Sequence, residues 1–122
     1  MYFEFEARPQ RGATWTPMVD VCERETEIVI FVEMAGVERS DIQLSWSEGV
    51  LIISGQKRQQ LPAKGAARYL CVERAYGQFR REIDINIPID RKAAKADLKN
   101  GLLKIHLPKA AQEQEPSNIP IL

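Results

Sequence analysis

The chain has one histidine and two cysteines, Cys22 and Cys71, and none of the three has a second ligand at the spacing that a zinc or iron site needs. No metal is expected, and two thiols are too few for the disulfide framework of a small secreted domain. His106 alternates with apolar neighbours near the end of the chain, so it reads as a polar-face strand residue. A glycine-rich phosphate loop and a nucleophile elbow are both missing, which leaves no expected catalytic residue, nucleotide or other cofactor. Charge of one sign is also missing. Seventeen Lys plus Arg balance seventeen Asp plus Glu, for a formal net charge of +0, so the chain lacks the general attraction that draws basic proteins to nucleic acid or anionic membranes. No stretch approaches the about 20 apolar residues that span a bilayer. The opening Met1-Tyr2-Phe3-Glu4-Phe5-Glu6 has neither the basic nor the apolar part of a secretory signal, and a cytoplasmic location is expected.

Helical periodicity is absent as well, and a period of two takes its place. With 122 residues, 44% of them hydrophobic and 28% charged, the chain suits one domain around one core. Strands are predicted at 18–23 and 26–34, the second with Ile28, Ile30, Val32 and Met34 on one face, and at 41–47, where Ile42, Leu44 and Trp46 alternate with polar residues. Glu48-Gly49 connects tightly into a strand at 50–56. A long loop at 57–68 follows, then strands at 69–75 and 79–87, turn character at 90–92 and a weak strand at 94–99. Asn100-Gly101 is a strong hairpin signal, because a type I′ turn needs positive φ at both central residues. Leu103, Ile105 and Leu107 then alternate with Lys104 and His106 until Pro108. Strands at short, even spacing without a convincing amphipathic helix favour an all-β antiparallel sandwich of seven to eight strands.

Two features stand outside a routine sandwich. Phe79, Ile83, Ile85 and Ile87 share a phase, and Arg81 stands in it. A guanidinium on the apolar side must meet a carboxylate or carbonyls, because an unpaired buried charge costs several kcal/mol. A one-residue bulge would turn it outward, and pairing at a subunit interface would satisfy it. The second feature is the ending Asn118-Ile119-Pro120-Ile121-Leu122. Pro120 stiffens an extended segment in which Ile119 and Ile121 project to one side as a two-pronged apolar plug; from the residues alone chance, a sequence-neutral chain end or an intramolecular latch are the alternatives to docking. Burying two Ile side chains gains roughly 3–6 kcal/mol while ordering each tail residue costs about 1–2 kcal/mol, so one plug binds weakly and several in one assembly hold together.

The residues also spell out a family. Pro17-Met18-Val19-Asp20-Val21, Met34-Ala35-Gly36-Val37 and Leu51-Ile52-Ile53-Ser54-Gly55 resemble the α-crystallin domain of small heat-shock proteins. Val72-Glu73-Arg74-Ala75-Tyr76-Gly77-Gln78-Phe79-Arg80-Arg81 resembles the family's Glu-Arg-x-x-Gly-x-Phe-x-Arg segment, and Ala96-Asp97-Leu98-Lys99-Asn100-Gly101-Leu102-Leu103 its Ala-x-x-x-Asn-Gly-Val-Leu signature. With the terminal Ile-x-Ile, the likeness spans about residues 15–122.

The resemblance implies an immunoglobulin-like sandwich over 15–109, a short N-terminal arm over 1–14 and a flexible C-terminal tail over 110–122. It further implies a dimer made by exchanging a strand from the long loop, with Arg81, Tyr69 and Leu61 at the dimer interface. The tail residues Ile119, Pro120 and Ile121 would plug a hydrophobic groove of a neighbour, for which Ile42, Leu44, Leu98 and Leu103 are the candidates. Client contacts fall to Tyr2, Phe3, Phe5 and Trp15. The implied function is an ATP-independent holdase that binds partly unfolded clients as a homo-oligomer of dimers, with a paralogue as a further partner. In two places the sequence departs from the family: Ile85-Asn86 stands where Leu-Pro is usual and the proline comes later as Pro88, so a longer or bulged strand end is expected, and the arm over 1–14 is shorter than is common, which argues against large cages and strong holding activity. The alternative function is a monomeric or dimeric co-chaperone-like adaptor on a related sandwich. An enzyme using Cys71, Glu73 or His106 is disfavoured for want of a pocket and a partner base.

Overall fold

The computed structural model describes residues 13–59 and 67–111. Strands form where alternation is cleanest: β1 (Val19–Glu23), β2 (Glu27–Glu33), β3 (Ile42–Ser47), β4 (Val50–Lys57), β5 (Gly77–Asp84), β6 (Lys95–Lys99) and β7 (Leu102–Pro108). Two single-turn 3-10 helices, Arg39–Asp41 and Arg91–Ala93, lead into β3 and β6. One antiparallel sheet has the order β1-β2-β7-β6 and the other β3-β4-β5, so the architecture is the expected β-sandwich.

The core lies between the sheets. Ile28, Ile30 and Val32 of β2 and Leu103, Ile105 and Leu107 of β7 face Leu51 and Ile53 of β4 and Phe79 and Ile83 of β5, all buried. Each such side chain contributes about 1.5–3 kcal/mol on leaving water. Asn100 (φ 53) and Gly101 (φ 75) both adopt positive φ in the β6–β7 turn, as the Asn-Gly pair predicts. Gly55 has a different reason to be glycine: at φ 155 a Cβ there would overlap the Asp41 carbonyl oxygen and sit 2.8 Å from the Phe79 ring. Its bareness lets β3 start directly beside β4.

Two expectations are corrected, and one burial was not foreseen. Residues 69–75 form no strand in the single chain, because no neighbouring strand offers them a ladder. The strand predicted at 79–87 ends at Asp84, and its register with β4 runs unbroken from Lys57↔Gly77 to Val50↔Asp84, with neither the extension nor the bulge that Ile85-Asn86 suggests. The Ile85 N–H instead donates to the Gly49 carbonyl at 3.0 Å, and the chain turns away. Finally, Val29 points to the outer face of its sheet and is nevertheless buried, beneath the neighbouring side chains of Cys22 and His106 to which it is paired.

Candidate functional site

Alternation assigns Ile42, Leu44 and Trp46 of β3 to the core side, since they pair with Gly55, Ile53 and Leu51 on that face of β4. Leu44 is nonetheless 38% exposed. On the other sheet, β6 turns Ala96 and Leu98 to the core side, opposite buried Ile105 and Leu103, and Ala96 is exposed while Leu98 is half-buried. Both strands are sheet edges, so the sandwich is open along them and shows core-type surface to solvent. Arg91, in the turn that enters β6, lies 5.0 Å over the Trp46 ring and ties the two edges together at one end. Ile42, Leu44 and Leu98 thus stand on the core side of these two edge strands. Leu103 does not, because β7 is an inner strand and Leu103, 4% exposed, forms the floor beneath. Trp46 belongs to the β3 strand that was expected here, whereas Ala96, on the core side of β6, was not expected. A small residue in the core phase of a weak strand is the signal that points to it.

A second uncovered region joins an edge and a stretch of chain. Among the described residues β1 pairs only with β2, which leaves its other edge free. Residues 67–75 are exposed, with Leu70 at 88%, Val72 at 57% and Tyr69 at 48%. Apolar side chains this bare beside unpaired backbone are unusual on a monomer surface.

Arg81 faces inward. It is 7% exposed, between Phe79 and Ile83 on the same face of β5 and opposite Ile53 of β4. Among the described residues no carboxylate or carbonyl hydrogen-bonds its guanidinium, and burial holds its pKa below the usual arginine value. The inward phase read from the sequence is what the fold adopts.

Trp15 is anchored, not free. It bridges Phe79 of β5, its indole Nε1–H donates to the Gly77 carbonyl at 3.0 Å, and its ring packs on Phe79 at 5.1 Å. Lys57 lies over the Trp15 and Tyr76 rings, where burial first and the Arg74 charge second lower its pKa. This knot, 62 residues apart in sequence, fastens the segment before β1 to the start of β5. Its bond partners were invisible to a reading of local pattern. Tyr2, Phe3, Phe5, Leu61, Ile119, Pro120 and Ile121 lie outside the described residues.

No grouping of three or more His, Cys, Asp or Glu among the described residues is placed to hold a metal ion. His106 Nδ1 lies 3.3 Å from Glu27 Oε2, while Cys71 and Glu73 stand on the exposed stretch. No helix among the described residues is long and apolar enough to cross a membrane.

The profile of the Hsp20/alpha crystallin family matches residues 20–122. The chain belongs to this family. It is 35% identical over 109 residues to Heat shock protein 16 of Schizosaccharomyces pombe, covering 87% of this chain and 75% of that protein. It is 34% identical over 99 residues to Small heat shock protein C4 of Rickettsia felis, covering 81% and 60% respectively. A small heat-shock protein from Xylella fastidiosa has a similar fold, with TM-score 0.73, 28% identity and coverage of 89% of this chain and 98% of that one. The α-crystallin family is one of chaperones, not enzymes.

Proposed function

We propose that this small heat-shock protein is an ATP-independent holdase, built from strand-exchanged dimers that assemble through the C-terminal tail. The observation that carries the reading is core-facing Leu44, left 38% exposed where the two sheets part. A core-side leucine left exposed at a sheet edge suits a short apolar plug, and Ile119-Pro120-Ile121 supplies one with both side chains on one side. Residues 69–72 and the free edge of β1 complement each other as strand and template, which supports exchange between two copies. Arg81, buried and without an acceptor among the described residues, suits an interface where a second subunit provides one. The Xylella fastidiosa relative is described as having a distinct high order structure, in keeping with an assembly.

On this reading residues 1–14 are an arm that carries Tyr2, Phe3 and Phe5 to clients, residues 15–109 the sandwich and 110–122 the tail, and the protein works in the cytoplasm. Partly unfolded proteins are the clients, and a paralogue is a further partner. The test heats an aggregation-prone client without nucleotide and follows light scattering at several subunit ratios. Suppression that weakens in an Ile119→Ala, Ile121→Ala variant is expected. No suppression at any ratio would refute the holdase and favour an adaptor.

A further inference from the structure

The chain's two cysteines lie on the two surfaces that strand exchange would bring together. Cys22 is exposed near the centre of β1, the strand with a free edge. Cys71 is exposed near the centre of the unpaired stretch, between Leu70 and Val72. Both are free thiols open to solvent.

Alternation decides which way each would face. On β1, Val19 and Val21 pack against the core, so Asp20 and Cys22 point outward. When the stretch adds to that edge, Leu70 and Val72 leave water only by joining the Val19 and Val21 side, and this turns Cys71 outward beside Cys22. The face is the same whichever way the added strand runs. In the antiparallel register that sets Val72 across from Val21, Cys71 is directly across from Cys22. Cβ atoms of such a pair lie about 4.5–5.5 Å apart, against about 3.5–4.5 Å in a disulfide, a closure that the local twist of an edge strand supplies.

We propose that Cys22 of one protomer and Cys71 of its partner form a disulfide that locks the strand-exchanged dimer under oxidising conditions. By two-fold symmetry each dimer carries two such pairs. The oxidant is a low-molecular-weight disulfide such as oxidised glutathione. One cysteine thiolate attacks it to give a mixed disulfide and releases one glutathione thiol; the second cysteine displaces the other. Two electrons and two protons pass from the cysteines to glutathione, one S–S bond breaks and one forms. Reduced, the dimer exchanges subunits; oxidised, it cannot.

This lock rests on the strand-exchange reading, and the experiment separates the two. Native mass spectrometry of the reduced full chain first establishes whether dimers exist. The protein is then treated with oxidised glutathione and analysed by non-reducing electrophoresis and peptide mass mapping. The expected product is a covalent dimer whose linked peptides contain Cys22 and Cys71. It is lost in Cys22→Ser and in Cys71→Ser alone, returns when the two variants are mixed, and has its subunit exchange abolished until dithiothreitol is added. A reduced dimer that forms no link, or links only Cys22 to Cys22 or Cys71 to Cys71, overturns the lock and leaves strand exchange standing. A protein that is monomeric when reduced overturns both.

Discussion

Replacing Arg81 with methionine should have opposite effects on the protomer and on the dimer. Within one chain Arg81 is 7% exposed among Phe79, Ile83 and Ile53, and its guanidinium finds no acceptor among the described residues. Methionine has a similar length and no charge to desolvate. Exchanging buried ionic groups for apolar ones of similar volume is neutral to stabilising by about 1–4 kcal/mol, and the protomer should gain within that range. If a second subunit supplies the acceptor, the same change leaves that acceptor buried and unpaired, at a cost of about 3–5 kcal/mol. At 1.4 kcal/mol per factor of ten, dimer dissociation should become roughly 100- to 4,000-fold more favourable for each lost contact, of which a two-fold dimer has two. Urea unfolding at concentrations below the dissociation constant, followed by the fluorescence of Trp15 and Trp46, measures the first effect. Sedimentation or native mass spectrometry over a dilution series measures the second. A variant that destabilises the dilute protomer by more than 1 kcal/mol while leaving the dissociation constant unchanged would show that Arg81 is satisfied inside its own chain.

Three further substitutions probe the frame around the site. Gly55→Ala forces a side chain into the Asp41 carbonyl and the Phe79 ring at φ 155, and should cost about 2–5 kcal/mol in urea denaturation; a loss under 1 kcal/mol would mean that the β3–β4 junction relaxes freely. Thr16 buries a hydroxyl with no hydrogen-bond partner, so Thr16→Val should raise stability by about 1 kcal/mol, and a loss of stability would reveal a partner. Arg58 donates to both Asp41 carboxylate oxygens, at 3.0 and 3.1 Å, and this hydrogen bonding holds the Asp41 carboxyl below its ordinary value of 3.8. A lowered carboxyl pKa stabilises the fold above the unfolded value, and that contribution drains away as pH falls through the folded one. The stability gap between wild type and Asp41→Asn should therefore be constant above about pH 5 and shrink below it, and a gap independent of pH down to about 3 would remove the ion pair from the account.

How far the sequence could be read depended on whether a property was set locally or by a neighbour. Alternation placed Ile28, Ile30 and Val32 on the core side and put Arg81 in phase with Phe79 and Ile83, because side-chain direction in a strand is a matter of parity alone. Parity does not say whether a strand is inner or edge. Leu103 and Leu98 are paired and face the same way, yet β7 lies inside its sheet and buries the first, while β6 is an edge and leaves the second half-covered. Trp15 looked adhesive for the same reason: its indole is taken up by Gly77 and Phe79, which no local pattern connects to it.

The stretch 69–75 presents the converse case. Its strand-like composition is genuine, but propensity cannot make a strand without a ladder, and the single chain has none to give. Among the described residues, an edge of β1 is unpaired, a leucine lies bare between two sheets and a buried cation has no acceptor. Each of these is costly in a monomer and is relieved by a second copy of something the sequence already contains: a strand, a plug, a counter-charge. Local rules fail in this protein at the positions that its assembly would complete, and that coincidence is the strongest physical reason to expect the protomer to be a building block.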